Sequence, residues 1–338
     1  MVQAVSAGAY AAARERAAFV ERADRGRIVV SGADRASYLQ GLLTNDIAAL
    51  TPGTGCYAAY LTAQGRMIAD MYVYELGDVI LLTLDRAVKD AVMAKLDQFI
   101  FSEDVQLGDA TDTFAQIAVV GPDAARATAA ALGGVDVAAL AALPEHGCVR
   151  VASARGAAIV ARVTDAGEPG FDLYVERAQA AAVKSALASA GAPEIDEATA
   201  EALRIEAGVP KFHRDMDEET IPLEAGIEER AISFTKGCYV GQEIVIRVLH
   251  RGHGRVARRL VGIALGGAQA PAPGARVRSS DREIGEVTSS TMSPALQRPI
   301  ALGYVHRDFV EPGTPVLVDG VAGEVAKLPF VARPTQPG

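Results

Sequence analysis

Beyond about Arg255 the chain is built from short apolar runs, residues 260–265, 276–278, 283–288, 300–305, 315–318 and 320–327, separated by turns rich in Gly and Pro. Runs this short between chain-breaking residues form strands, not helices. A set of short strands sharing one apolar face closes on itself to remove its edges. Residues 255–332 are therefore expected to be a small all-β unit, barrel-like. Residues 1–250 read differently. Helical spacing covers 7–22, a strand 27–30, and a helix 34–43 with Asp34 as its N-cap. Strands over 56–61, 66–76 and 78–84 are separated by Gln64-Gly65 and Gly77-Asp78, and an amphipathic helix follows over 86–99 with Val88, Val92, Leu96 and Phe99 on one face. A strand at 115–120, a helix at 122–132, paired strands within 149–163, a strand at 171–175 and a helix at 178–190 complete the pattern. Strand pairs alternating with single helices make α+β layers, sheets covered on one face. No GxGxxG follows a strand and no P-loop occurs, which excludes a doubly wound nucleotide-binding sheet.

With 338 residues, half of them hydrophobic and 22% charged, the chain can bury a substantial core and divide into two or three domains. No run approaches the ~18 apolar residues of a membrane span. Arg14, Glu15 and Arg16 stand where a signal peptide needs its apolar core. Cys56, Cys148 and Cys238 form no CxxC, zinc or disulfide pattern. A reducing, cytoplasmic compartment and a monomer are expected, with no metal centre. The pair His250 and His253 lacks a companion carboxylate, and three thiols cannot hold a four-thiolate iron–sulfur cluster. The net charge of −9 argues against generic nucleic-acid binding. Against that background Arg247, His250, Arg251, His253, Arg255, Arg258 and Arg259 form a stretch without an acid. Such a stretch suits an anion, or is neutralised by acids from elsewhere in the chain.

The octet from Lys236 to Glu243, Lys-Gly-Cys-Tyr-Val-Gly-Gln-Glu, brackets the thiol of Cys238 with Gly237 and Gly241. Lys236 and the free N–H groups of a helix starting near Gly241 would both favour a thiolate there. A small buried cysteine in a turn is the plain alternative. The octet resembles the signature of the folate-binding YgfZ family of iron–sulfur maturation factors, relatives of the glycine cleavage aminomethyltransferase (T-protein). The resemblance extends from about Asp24 to Phe330. It implies ferredoxin-like sub-domains around a central folate channel, a C-terminal β-barrel, and tetrahydrofolate or another reduced folate as the ligand. It also implies an iron–sulfur client protein, a functional role for Cys238, and help from Lys236, Gln242 and Glu243 in holding the folate. The basic stretch would then meet either the polyglutamate tail of the folate or an acidic face of the client.

Other candidate residues take their meaning from the same resemblance. Asp70 lies on a mostly apolar strand with Tyr72 and Tyr74 on its face, placed either toward solvent or for a purpose. Aminomethyltransferases carry an Asp-Asp pair at this point, one member being the catalytic acid, whereas this chain reads Ala69-Asp70. One acid is missing, which counts against T-protein catalysis. Asp70 remains the candidate acid and pterin contact that the resemblance implies. Residues 166–172 resemble the superfamily loop Thr-Gly-Glu-x-Gly-Phe-Glu. Glu168 is the carboxylate expected to accept the paired donor edge of a pterin. Arg204, on a helix ending at Gly208, is expected to line the channel, and Glu224 is expected to be structural. The leading expectation is a folate-binding accessory factor for iron–sulfur proteins. The alternative is a tetrahydrofolate-dependent transferase of the T-protein type.

Overall fold

The computed structural model describes residues 5–251 and 255–332, without the side chains of His250 and Arg251. The chain opens with α1 (Ala7–Glu15), β1 (Ala18–Glu21), β2 (Arg25–Ser31), α2 (Arg35–Leu42), β3 (Thr54–Leu61), β4 (Met67–Glu75), β5 (Ile80–Asp85), α3 (Arg86–Asp97) and β6 (Gln106–Asp109). It continues with β7 (Phe114–Val120), α4 (Ala124–Leu132), α5 (Val137–Ala141), β8 (Cys148–Ser153), β9 (Gly156–Val163), β10 (Gly170–Glu176), α6 (Ala180–Ser189) and α7 (Glu197–Glu206). The short helices α8 (Pro222–Ala225) and α9 (Glu228–Ala231) and the longer α10 (Gln242–Arg251) lead to β11 (Arg258–Leu265), β12 (Arg276–Ser279), β13 (Arg282–Ser293), β14 (Arg298–His306), β15 (Pro315–Val318) and β16 (Val321–Ala326).

These strands form two five-stranded antiparallel sheets, β1-β7-β10-β9-β8 and β3-β4-β5-β2-β6, and a closed barrel β11-β14-β13-β12-β15-β16. Each sheet buries one face under helices: Ala127 and Leu132 of α4 and Val183 and Leu187 of α6 on the first, Leu39 of α2 and Val92 and Leu96 of α3 on the second. The expected α+β layers and C-terminal barrel are therefore present. The helix expected over 7–22 is shorter. It ends at Glu15, and residues 18–21 pair with β7 as an edge strand, Ala18 opposite Val120. Tertiary pairing outweighs the helical spacing of this alanine-rich segment. Asp34 does not cap α2 with its side chain; its carboxylate accepts the N–H of Asp104 instead, at 2.9 Å.

The uncovered faces of the two sheets meet each other, and they are polar. Thr83 of β5 donates to Gln116 of β7 at 3.0 Å, Arg27 of β2 reaches the same amide oxygen at 3.3 Å, and the rings of Tyr74 and Tyr174 approach edge to face at 6.2 Å. Strand pleating produces this arrangement. Along β4, Ala69, Met71 and Val73 join the helix-covered core, while Asp70, Tyr72 and Tyr74 alternate onto the inter-sheet side. Among the described residues no helix is long and apolar enough to cross a membrane.

Candidate functional site

Where the two sheets part, a cavity of about 280 Å³ opens between the β1–β2 turn, β3, β4, α7 and residues 209–212. Asp70 lines it and is itself buried. Tyr57, on the neighbouring strand, donates to Asp70 Oδ2 at 2.7 Å, and Oδ1 has no hydrogen-bond partner among the described residues. Burial pushes the Asp70 carboxyl above the ordinary range, against the pull of Arg25 and the Tyr57 hydroxyl. The cavity thus presents a carboxyl with one oxygen fixed and the other available. Around it stand the cations Arg22, Arg25 and Arg230 and the anion Asp165. Arg230 lies 5.1 Å over the Tyr57 ring and reaches Asp165 at 3.4 Å, and Tyr72 also donates to Asp165.

A second buried carboxyl lies beside this wall. Asp172 of β10 is paired across the sheet with Ala118, which lines the cavity, so the two share a face. Gln116 donates to Asp172 Oδ2 at 2.7 Å and Oδ1 again has no partner among the described residues. Burial raises its pKa, with Arg22 the main opposing charge. Neither Asp172 nor Glu168 is itself in the cavity lining, but Glu168 is already held: Arg14 donates to it at 2.7 Å while also holding the fully buried Glu206. Arg204 does line the cavity, but its five N–H donors already have five partners. They go to both oxygens of Glu201 (3.1 and 2.8 Å), Val209 O (2.6 Å), Asp215 (2.7 Å) and Ser289 of the barrel (3.0 Å).

Residues 2–236 match the family model of the GCVT N-terminal domain, and residues 258–335 match that of the glycine cleavage T-protein C-terminal barrel domain. The chain belongs to the glycine cleavage T-protein family. An aminomethyltransferase of Rubrobacter xylanophilus is 33% identical over 95% of this chain and 85% of its own length. One of Streptomyces coelicolor is 32% identical over 96% of this chain and 89% of its own. The crystal structure of the glycine cleavage system aminomethyltransferase T from Bartonella henselae superposes with a TM-score of 0.86 at 24% identity, covering 96% of this chain and 89% of that one. These curated relatives are aminomethyltransferases rather than YgfZ-type maturation factors, and the family shown is the T-protein family in its broad sense.

On this T-protein fold the octet lies outside the cavity lining. Gly241 has φ +85°, and a Cβ there would come within 2.5 Å of Thr62 O in the β3–β4 turn, so the octet is pressed against that turn. Gln242 and Glu243 begin α10, Gln242 half-buried and Glu243 exposed. Cys238 is exposed, while Cys56 is half-buried and Cys148 buried. The ammonium of Lys236 is taken up by main-chain carbonyls. It donates to Gln40 O, Leu43 O and Asn45 O at 2.6, 2.6 and 2.8 Å, and the thiol it acts on electrostatically is Cys56. In the basic stretch Arg258 pairs with Glu224 and Arg259 with Glu228, whereas Arg247 and Arg255 are exposed. The side chains of His250 and Arg251, and all of His253, lie outside the described residues. The described residues include no group of His, Cys, Asp and Glu suited to a metal ion.

Sequence reasoning passed over Asp172, Asp165, Tyr57 and the arginines 22, 25 and 230. For Asp172 a signal exists: it sits between Phe171 and Leu173, both core residues of the opposite face, as Asp70 sits between Ala69 and Met71. The others become site residues only through the meeting of distant segments.

Proposed function

We propose that this chain is a tetrahydrofolate-dependent transferase of the aminomethyltransferase type. The observation that carries the reading is Asp70: a buried carboxyl of raised pKa on the cavity wall, one oxygen fixed by Tyr57 and the other free. A reduced folate is the ligand that T-protein kinship implies, and the unpartnered buried oxygen of Asp172, Oδ1, fits a donor of its amine-rich pterin. When bound, the reduced folate would supply the amine nitrogens that take up the one-carbon unit, with ammonia and the carrier's thiol released. Asp172, beside the cavity wall, offers its unpartnered Oδ1 to a donor of the pterin edge. Asp70, whose carboxyl burial biases toward the protonated form, offers Oδ1 as the acid for the amine that leaves as ammonia. Tyr57 holds the carboxyl in that orientation, and Arg230, stacked on Tyr57, fixes the ring. The Ala69-Asp70 sequence does not weaken this reading. Ala69 is fully buried in the helix-covered core, so an acid in its place would point away from the cavity.

Replacing Asp70 by Asn should leave tetrahydrofolate binding, measured by calorimetry, intact. It should lower ammonia release from an aminomethyl-lipoyl carrier by about 10²-fold or more. Full turnover by Asp70→Asn removes Asp70 from the chemistry, and the absence of heat with every reduced folate removes the ligand. One observation favours a second reading, an accessory role toward iron–sulfur proteins: the exposed thiol of Cys238 in an intact octet, outside the cavity. Cys238→Ser should then keep folate binding and lose the ability to restore iron–sulfur enzyme activity in a strain lacking this protein. Complementation by the Ser variant eliminates that role.

A further inference from the structure

Lys236 is nine-tenths buried, and each of its three ammonium N–H groups has a main-chain oxygen: Gln40 O, Leu43 O and Asn45 O. These oxygens lie at and just beyond the C-terminus of α2, where carbonyls lack helical partners and a cation is favoured. The backbone of the octet region reinforces the contact, Val240 N donating to Gly41 O and Ser233 N to Thr44 O. Asn45 carries the contact onward. While its carbonyl accepts from Lys236, its side-chain amide donates to Tyr57 O at 2.8 Å and to Arg230 O at 3.1 Å. Tyr57 and Arg230 both line the cavity, and Tyr57 holds Asp70. An unbroken chain of contacts therefore runs from the octet to the carboxyl, though no atom of Lys236 lines the cavity.

We propose that Lys236 is a positioning residue which, through Asn45, holds Tyr57 and Arg230 in the geometry that binds reduced folate, so that the octet tunes the site without touching its ligand. This rests on the folate reading of the cavity. The charge state of the amine matters because a neutral amine has two N–H groups and a lone pair for three carbonyls, leaving one oxygen unpartnered and facing a lone pair. Burial brings Lys236 down to about 8. The titratable groups facing it are Asp46, Cys56 and Tyr239, and burial raises both Cys56 and Tyr239 to about 12, so neither loses its proton in the same range. Folate affinity should accordingly step down as the pH rises past that value.

Tetrahydrofolate binding by the full chain is measured calorimetrically from about pH 7 to about pH 9.5. The parent is expected to weaken by about tenfold across this window, the equivalent of one lost buried hydrogen bond. Lys236→Met should bind more weakly at neutral pH and show no step. Asn45→Ala should also lack the step with Lys236 intact, and the double variant should be no weaker than the worse single one. If Lys236→Met binds as the parent does at every pH and loses only thermal stability, Lys236 is a structural bolt and the proposal falls. If Lys236→Met does not fold, Asn45→Ala decides alone, and a full step in that variant overturns the coupling. If the parent binds no reduced folate, the functional reading fails separately. Hydrogen exchange in β3 and α9 then tests the positioning by itself: faster exchange in Asn45→Ala supports it, and unchanged exchange ends it.

Discussion

The two carboxyls beside the cavity and the carboxylate just outside it differ in one respect, their partners. Asp70 and Asp172 each keep a buried oxygen without a partner among the described residues, whereas Glu168 is held by Arg14. An unpaired buried acceptor is costly unless a ligand satisfies it, and a paired one is already satisfied. Asp172→Ala should therefore weaken tetrahydrofolate binding by about 1–3 kcal/mol, roughly fivefold to 150-fold, with little loss of stability. Glu168→Ala should do the reverse: folate affinity is kept in calorimetry, while the unfolding midpoint falls because Arg14 retains only Glu206 of its two carboxylate partners.

At the scale of elements, β4 and the octet make the site. The pleat of β4 sends Asp70 into the cavity and Ala69 into the core, so the strand's register decides which residue can react. The octet is held against the β3–β4 turn by close packing: Gly241 against Thr62 and Leu61, Gly65 against Ile244 of α10. Gly241→Ala puts a Cβ into the carbonyl of Thr62 and forces a side-chain residue to keep φ at +85°. It should cost about 1–3 kcal/mol, read from the urea midpoint. Because Lys236 starts the same octet, the variant should also disturb the α2 terminus that Asn45 relays to Tyr57.

Across the whole molecule, a buried ion pair and its hydrogen bonds tie α7 to the barrel. Arg204 joins α7, the segment at Val209 and Asp215, and Ser289 of β13; Asp215 also accepts from Thr288. Arg204→Ala leaves the fully buried Asp215 without its counter-ion, and a loss of about 3–5 kcal/mol in global stability is expected from denaturant unfolding. Also on the cavity wall, Asp24 pairs with Lys211 at 2.8 Å and lies 3.7 Å from Arg22. Burial alone would raise the Asp24 carboxyl, but Arg22 and Lys211 outweigh it and bring it from 3.8 to about 2. The unfolded chain binds this proton at higher pH than the folded one, so the stabilisation is complete above 3.8 and is lost as the pH falls through about 2. Thermal unfolding followed across that window should show Asp24→Asn losing acid sensitivity relative to the parent.

The barrel, the helix-covered sheets and the face shared by Asp70, Tyr72 and Tyr74 are legible in the sequence because each depends on local periodicity: short runs between breakers, apolar spacing on helices, alternation on strands. The octet stands out for its composition alone. Its role does not, because Lys236 is defined by carbonyls some 190 positions earlier in the chain, and Glu168 by an arginine on α1. The family resemblance could put Arg204 on the cavity, but whether it had a donor to spare depended on Glu201, Asp215 and a barrel serine. Helical spacing over 7–22 did not reveal that residues 18–21 find a strand partner a hundred positions away. Local sequence determines which face a side chain occupies. Only the tertiary structure decides who meets it there, because hydrogen-bond and charge partners come from segments that folding, not sequence proximity, brings together.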